Sequence, residues 1–205
     1  MTPTIAVLDY GMGNIHSVSR ALARVGADVC VTSDRAEAGG ASGMVIPGVG
    51  GFGACVRSLR EAGLEPAIRS AVAGDRPIFA VCVGMQILFE GSDEDRDEGL
   101  AILSGHVERL PSTVRVPHTG WNTVSWMGRR HAYTAGIPDG TSFYFVHSYA
   151  PAVQPETTVG VSDHGRSFSA AVARDNVFAT QFHPEKSGEA GLELYERFVE
   201  EVRAA

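Results

Sequence analysis

The chain has 205 residues, 44% of them hydrophobic, enough apolar material for one sizeable core. Its formal net charge of −7 argues against a nucleic-acid-binding surface, which is ordinarily basic. Three irregularly spaced cysteines form neither a disulfide framework nor a zinc-ligand pattern, no apolar run approaches membrane-spanning length, and the N-terminal run soon meets Asp9; one soluble cytoplasmic domain over residues 1–205 with reduced thiols is expected.

"TIAVLDYGMGN" is a short apolar run closed by glycines, hence a buried strand and a turn. "IHSVSRALARVG" places Ile15, Val18, Leu22 and Val25 on one helical face, with Gly26 as a stop. "ADVCVTSD" reads as a second strand with Cys30 in the core, and "SDRAEAGGASG" as a loop with at most a helical turn. "GMVIPGVGGFG" is a strand running into a glycine-rich turn, followed by helical sequence that breaks near Gly63 and carries Cys55 as core filler. "RPIFAVCVGMQILFEGS" reads strand, turn, helix, and the acidic "GSDEDRDEG" a solvated loop. This alternation predicts an α/β fold, a parallel sheet with helices on both faces. The second half holds strand-like pieces with short turns, read as antiparallel additions. It ends in an amphipathic helix spaced by Leu192, Tyr195, Phe198 and Val199.

Cys82 sits where the strand "PIFAV" meets the start of a helix, with Ala80 two residues before it and Gly84 two after. Small residues at those positions are what a nucleophile elbow needs, because the turn is too sharp for larger side chains. A thiol there stands at a helix N-terminus, which favours the reactive thiolate, and the Val83 N–H is placed to hold an oxyanion. The competing reading is a core cysteine between Val81 and Val83. A thiolate needs a proton partner, and that partner needs orientation. Of the seven histidines, His183 has the most telling context: "ATQFHPEKS" reads as a strand ending at His-Pro-Glu, so that His183 and Glu185, two apart in extended chain, share a side. The bland alternative is a surface turn. "PGVGGFG" lacks the Gly-Lys-Ser/Thr ending of a phosphate loop and reads better as a loop beside the elbow, with Val49 or Gly50 as second oxyanion donor.

The Cys82 elbow, "FHPE" and "PGVGGFG" together resemble a class I (triad) glutamine amidotransferase. "LDYGMGNIHSV", "CVGMQILFEGS", "GLAILSGHVERL", "VPHTGWN" and "FYFVHSYA" narrow the resemblance to the glutaminase subunits of imidazole glycerol phosphate synthase, along nearly the whole chain and in one order. The resemblance implies a three-layer, flavodoxin-like, mostly parallel sheet. It implies a Cys82–His183–Glu185 triad that hydrolyses glutamine, with Gln86, Ser148 and Tyr149 at the glutamine and no metal or cofactor. It also implies a partner, a (β/α)8-barrel cyclase that receives ammonia through a tunnel, with Asn14, Trp121, Tyr144 and Lys186 at or near the interface. His118 and His147 match motif positions without a catalytic role. Two residues depart from the family pattern: Ala80 stands for a usual glycine and Thr119 for a usual methionine. The alternatives are a glutaminase for another synthase, an inactive regulatory module, or a cysteine peptidase on the same fold.

Overall fold

A computed structural model of the chain describes residues 3–127 and 131–205. The first half alternates as expected apart from Arg35–Gly40, a six-residue helix where the sequence read as a loop, started by the Asp34 carboxylate accepting the Ala36 and Glu37 N–H groups: β1 (Thr4–Leu8), α1 (Ile15–Arg24), β2 (Asp28–Thr32), α2 (Arg35–Gly40), β3 (Gly43–Gly48), α3 (Phe52–Glu61), α4 (Glu65–Ala73), β4 (Ile78–Cys82) and the single turn α5 (Val83–Gln86). The second half is strand-rich: β5 (Gly91–Ser92), β6 (His106–Arg109), β7 (His118–Trp126), β8 (Thr141–His147), β9 (Tyr149–Pro151), β10 (Thr158–Asp163), β11 (Ser167–Arg174) and β12 (Val177–Thr180), then the helix α6 (Gly188–Ala204).

Nine strands form one sheet in the order β2-β1-β3-β4-β12-β11-β10-β7-β8; β5, β6 and β9 form a small second sheet. The parallel part, β2-β1-β3-β4-β12, has the flavodoxin order, and helices flank both faces to give three layers. The sequence placed β12 among the antiparallel additions, but it pairs parallel to β4. A tight hairpin at Asp175 and Asn176 returns the chain from β11, and Asn176 Nδ2 ties the turn to the carbonyls of Ala71 and Arg76, which steers β12 into the slot beside β4.

The apolar face of α6 packs on this centre through Tyr195 and Phe198, whose rings meet Phe79 of β4 at centroid distances of 5.2 and 5.6 Å. Each such buried side chain contributes about 1.5–3 kcal/mol. Leu192 lies at the margin of that face, while Leu194 and Val202 are inside. Cys30 is half-buried rather than core, because β2 is the outermost parallel strand. The helix break falls at Gly63 as expected. No helix among the described residues is long and apolar enough to cross a membrane.

One backbone contact sets the geometry at the carboxyl end of β4. A Cβ at Gly84 would run into the carbonyl of Ile46, and one at Gly48 into the amide of Gly84. The end of β3 and the first turn after β4 therefore touch backbone to backbone. Gly84→Ala should cost about 1–3 kcal/mol by overpacking, whereas Gly39→Ala, facing open space on α2, should be neutral or slightly stabilising. Thermal denaturation of the two variants checks this.

Candidate functional site

Cys82 closes β4 with φ 55° and ψ −114°, a conformation that L residues rarely adopt. This is the elbow expected from Ala80 and Gly84. The Ala80 methyl is fully buried in the core and its backbone stays in register with Ile46 and Ala179, so the departure from glycine is absorbed. The helix beyond the elbow is shorter than "MQILF" suggested: α5 is four residues long, so the dipole behind the sulfur is that of one turn.

His183 lies on the adjoining strand connection, and its Nδ1 meets Glu185 Oε1 at 2.8 Å. The two side chains are 2% and 0% exposed, which rules out the surface-turn reading. They do not meet by strand alternation. β12 ends at Thr180, and Pro184–Lys186 form a 3-10 turn that folds the carboxylate back onto the ring. The turn is clamped by edge strand β8. The His183 N–H donates to the Tyr144 carbonyl at 2.9 Å, the Tyr144 N–H donates to Ser187 Oγ at 3.0 Å, and the Ser187 hydroxyl donates to the His183 carbonyl at 2.6 Å. His183 Nε2, the other ring nitrogen, is buried and meets no nitrogen or oxygen partner among the described residues, which leaves Cys82 as the group it can serve. Burial works to lower the pKa of His183, but hydrogen bonding and charge from Cys82 and Glu185 prevail and raise it to about 10.

Cys82, Val83, Gln86 and His183 line a cavity of about 300 Å³ together with Val49, Gly50, Ser148, Tyr149 and Lys186. Thus the expected nucleophile, base, oxyanion and glutamine-site residues converge, with Glu185 behind His183. The Val49 N–H is engaged by another partner in this structure. It donates to the Met12 carbonyl at 3.1 Å, away from an oxyanion, and the Val49 carbonyl accepts from Cys55 Sγ at 3.4 Å. The Tyr10 hydroxyl also donates to the Pro47 carbonyl. Cys55 is therefore more than filler: with Tyr10 it ties down the glycine-rich loop, and burial raises its thiol pKa to about 12.

Two contributors, Glu94 and Gln181, escaped sequence reading. Glu94 belongs to the acidic run read as solvated; it is exposed, yet it lines the cavity and its Oε2 accepts the Phe52 N–H at 2.8 Å, capping α3. Gln181 is fully buried with Nε2 3.7 Å from Cys82 Sγ. His147 lines the cavity and pairs with His118, Nε2 to Nδ1, at 2.9 Å, while His164, read as bland, stacks on His118 at 4.2 Å. The first two could have been suspected only by knowing which loops converge.

Trp121 is 59% exposed and meets the Tyr144 ring edge-on at 6.2 Å, and Lys186, itself in the cavity lining, has its Nζ 5.8 Å from the same ring. These three expected interface residues form one cluster beside the cavity mouth. Thr119 is exposed on β7, opposite Val146. Asn14 stands apart at the start of α1, next to the Met12–Gly13 segment that abuts the glycine-rich loop.

Burial lowers the pKa of His118 to about 4 and of His147 to about 3, from 6.5. The folded state thus binds fewer protons than the unfolded chain below that value, so stability present above pH 6.5 is lost as the pH falls toward 4 and below. Denaturant titrations should show this loss, and His118→Gln/His147→Gln should flatten it.

Residues 6–202 match the family of class-I glutamine amidotransferases. The imidazole glycerol phosphate synthase subunit HisH of Moorella thermoacetica is 45% identical, over 98% of this chain and 96% of its own. That of Thermobifida fusca is 47% identical, over 97% and 99%. In fold the chain is like PurLQS from Thermotoga maritima, with a TM-score of 0.76 at 19% identity over 98% and 99% of the two chains. It is also like the glutaminase domain of Trypanosoma brucei CTPS, with a TM-score of 0.74 at 18% identity over 99% and 94%. With its triad geometry and near-complete matches to these relatives, the chain belongs to the class-I glutamine amidotransferases and, within them, to the HisH subunits of imidazole glycerol phosphate synthase.

Proposed function

We propose that Cys82, His183 and Glu185 hydrolyse glutamine to glutamate and ammonia, and that the chain passes the ammonia to a (β/α)8-barrel cyclase. The pair would make imidazole glycerol phosphate and an aminoimidazole carboxamide ribotide. The observation that carries the reading is the buried His183–Glu185 pair facing an elbow cysteine across a cavity of amino-acid size.

Glutamine enters with its side-chain amide over Cys82. The Cys82 thiol gives its proton to His183, and the sulfur attacks the amide carbon. The Val83 N–H, at the start of α5, faces the developing oxyanion. On collapse the C–N bond breaks, and His183 returns the proton to the departing nitrogen as ammonia leaves. His183 then takes a proton from water, whose oxygen attacks the thioester; the C–S bond breaks, glutamate leaves and the thiol is restored. Glu185 keeps the ring proton on Nδ1 and compensates the imidazolium. At the far end of the substrate, the Glu94 carboxylate complements the α-ammonium, and the Ser148–Tyr149 backbone the α-carboxylate.

Ammonia released into bulk water would be protonated and lose its nucleophilicity, so the cyclase must cover the cavity mouth. The Trp121–Tyr144–Lys186 cluster supports docking there, since exposed aromatics anchor interfaces. Docking on this cluster would bear on the Tyr144 backbone, which clamps the triad turn. The Val49 N–H, held by Met12 at rest, would become the second oxyanion donor only after its peptide turns.

In the complex with the cyclase, Cys82→Ala should abolish glutamine-dependent synthesis while ammonia-dependent synthesis persists. Glu185→Gln should lower glutaminase kcat roughly 10²- to 10⁴-fold. The isolated chain should hydrolyse glutamine far more slowly than the complex carrying a cyclase ligand; equal rates would overturn the resting-loop reading, and an active Cys82→Ala the triad.

A further inference from the structure

Behind the cavity runs a set of hydrogen bonds whose directions are fixed by backbone carbonyls, which can only accept. Asn122 Oδ1 accepts the Thr123 N–H at 2.8 Å and its Nδ2 donates to the Asp163 carbonyl at 2.9 Å, so backbone partners settle which end of the amide is which. Asn122 Nδ2 also meets His118 Nε2 at 3.2 Å, and that nitrogen must accept. The His118 proton therefore sits on Nδ1 and goes to His147 Nε2 at 2.9 Å. The His147 proton in turn sits on Nδ1 and goes to the Tyr149 carbonyl at 2.9 Å. The same carbonyl accepts from Gln86 Nε2 at 2.9 Å, and the other N–H of Gln86 goes to Gln181 Oε1 at 2.9 Å. Only one orientation of the Gln181 amide remains: its nitrogen faces Cys82 Sγ at 3.7 Å.

This alters the expected part of Gln86. Both protons of its amide nitrogen are committed within the protein, so its nitrogen is not a substrate donor. It also gives Gln181 something to do. Gln181 is 0% exposed, and turning its amide over would set Nε2 against the Gln86 nitrogen and put Oε1 against the sulfur. The amide is locked as a donor toward the reacting atom.

We propose that Gln181 is a catalytic residue of the glutaminase reaction, donating an Nε2–H hydrogen bond to the Cys82 sulfur that strengthens as the sulfur becomes anionic, and that Gln86 is the positioning residue that holds it in that orientation. A donor aimed at a charge that develops in a buried site needs no reorganisation when the proton leaves. When the thiol is restored, the sulfur remains an acceptor and its proton points toward the Val146 carbonyl, 4.0 Å away. The other titratable groups bearing on the sulfur are His183, Tyr10 and Cys55. The inference rests on the reading of Cys82 as the nucleophile.

The test uses the complex with the cyclase and Gln181→Met, which is of similar length and brings neither a donor nor a charge to the sulfur; Gln181→Leu serves if the first variant does not fold by circular dichroism. Expected is a roughly 10- to 100-fold fall in glutamine-dependent kcat, the worth of a hydrogen bond to a charged group, with KM for glutamine little changed. The pH dependence of Cys82 alkylation by iodoacetamide should also move upward, by about one unit or more. A folded variant with unchanged kcat overturns the proposal. So does one with lowered kcat but an unmoved alkylation profile, because a purely structural role would leave the sulfur's reactivity alone. If Cys82→Ala itself retains glutaminase activity, the nucleophile reading fails instead.

Discussion

The site depends on one strained residue. Cys82 holds φ at 55°, which costs of the order of 1–3 kcal/mol and persists only where the surroundings leave no alternative. Here the constraint is the backbone contact between the end of β3 and the turn after β4, possible because Gly48 and Gly84 carry no Cβ. The parallel ladder of β4 with β3 and β12 fixes the strand end, and Ala80 keeps its methyl inside the core without disturbing it. The sulfur therefore stands above the carboxyl edge of the sheet, where an open α/β sheet offers a crevice.

From that point the other parts are placed by their own anchors. β12 lies next to β4, so the segment leaving it carries His183 to the elbow. Edge strand β8 then receives the following turn through Tyr144 and Ser187. Tyr144 thereby does two things at once: its backbone clamps the triad turn and its ring belongs to the exposed cluster with Trp121 and Lys186. In the proposed complex, a partner seated on this cluster would bear on the segment that holds His183. The loop from Pro47 to Gly50 is held by Tyr10, Met12 and Cys55, and the proposed mechanism requires it to turn before a second N–H faces the oxyanion.

Much of this was legible in the sequence because the elbow and the triad have local signatures. Small residues flanking Cys82, and a proline after His183, report steric demands that any chain making this turn must meet. The order of elements up to β4 followed from apolar runs and glycine stops. What could not be read was set by long-range pairing. The parallel placement of β12 depends on a hairpin and on Asn176 reaching residues about a hundred positions earlier. The meeting of His183 and Glu185 came from a 3-10 turn, where strand alternation gave the right pairing for the wrong reason. Glu94 looked like one carboxylate in a solvated run, and Gln181 like an ordinary strand residue. Neither type carries a local signal, since their roles arise only when α3, β4, β9 and the segment after β12 come together.

The most direct measurement is to treat the complex with an electrophilic glutamine analogue that alkylates thiols and to map the adduct by intact-mass and peptide mass spectrometry. A single adduct on Cys82, blocked by glutamine and lost in Cys82→Ala, is the expected result. Stoichiometric labelling of Cys55 or Cys30 with Cys82 untouched, and glutaminase activity abolished by it, would contradict the placement of the nucleophile at the elbow.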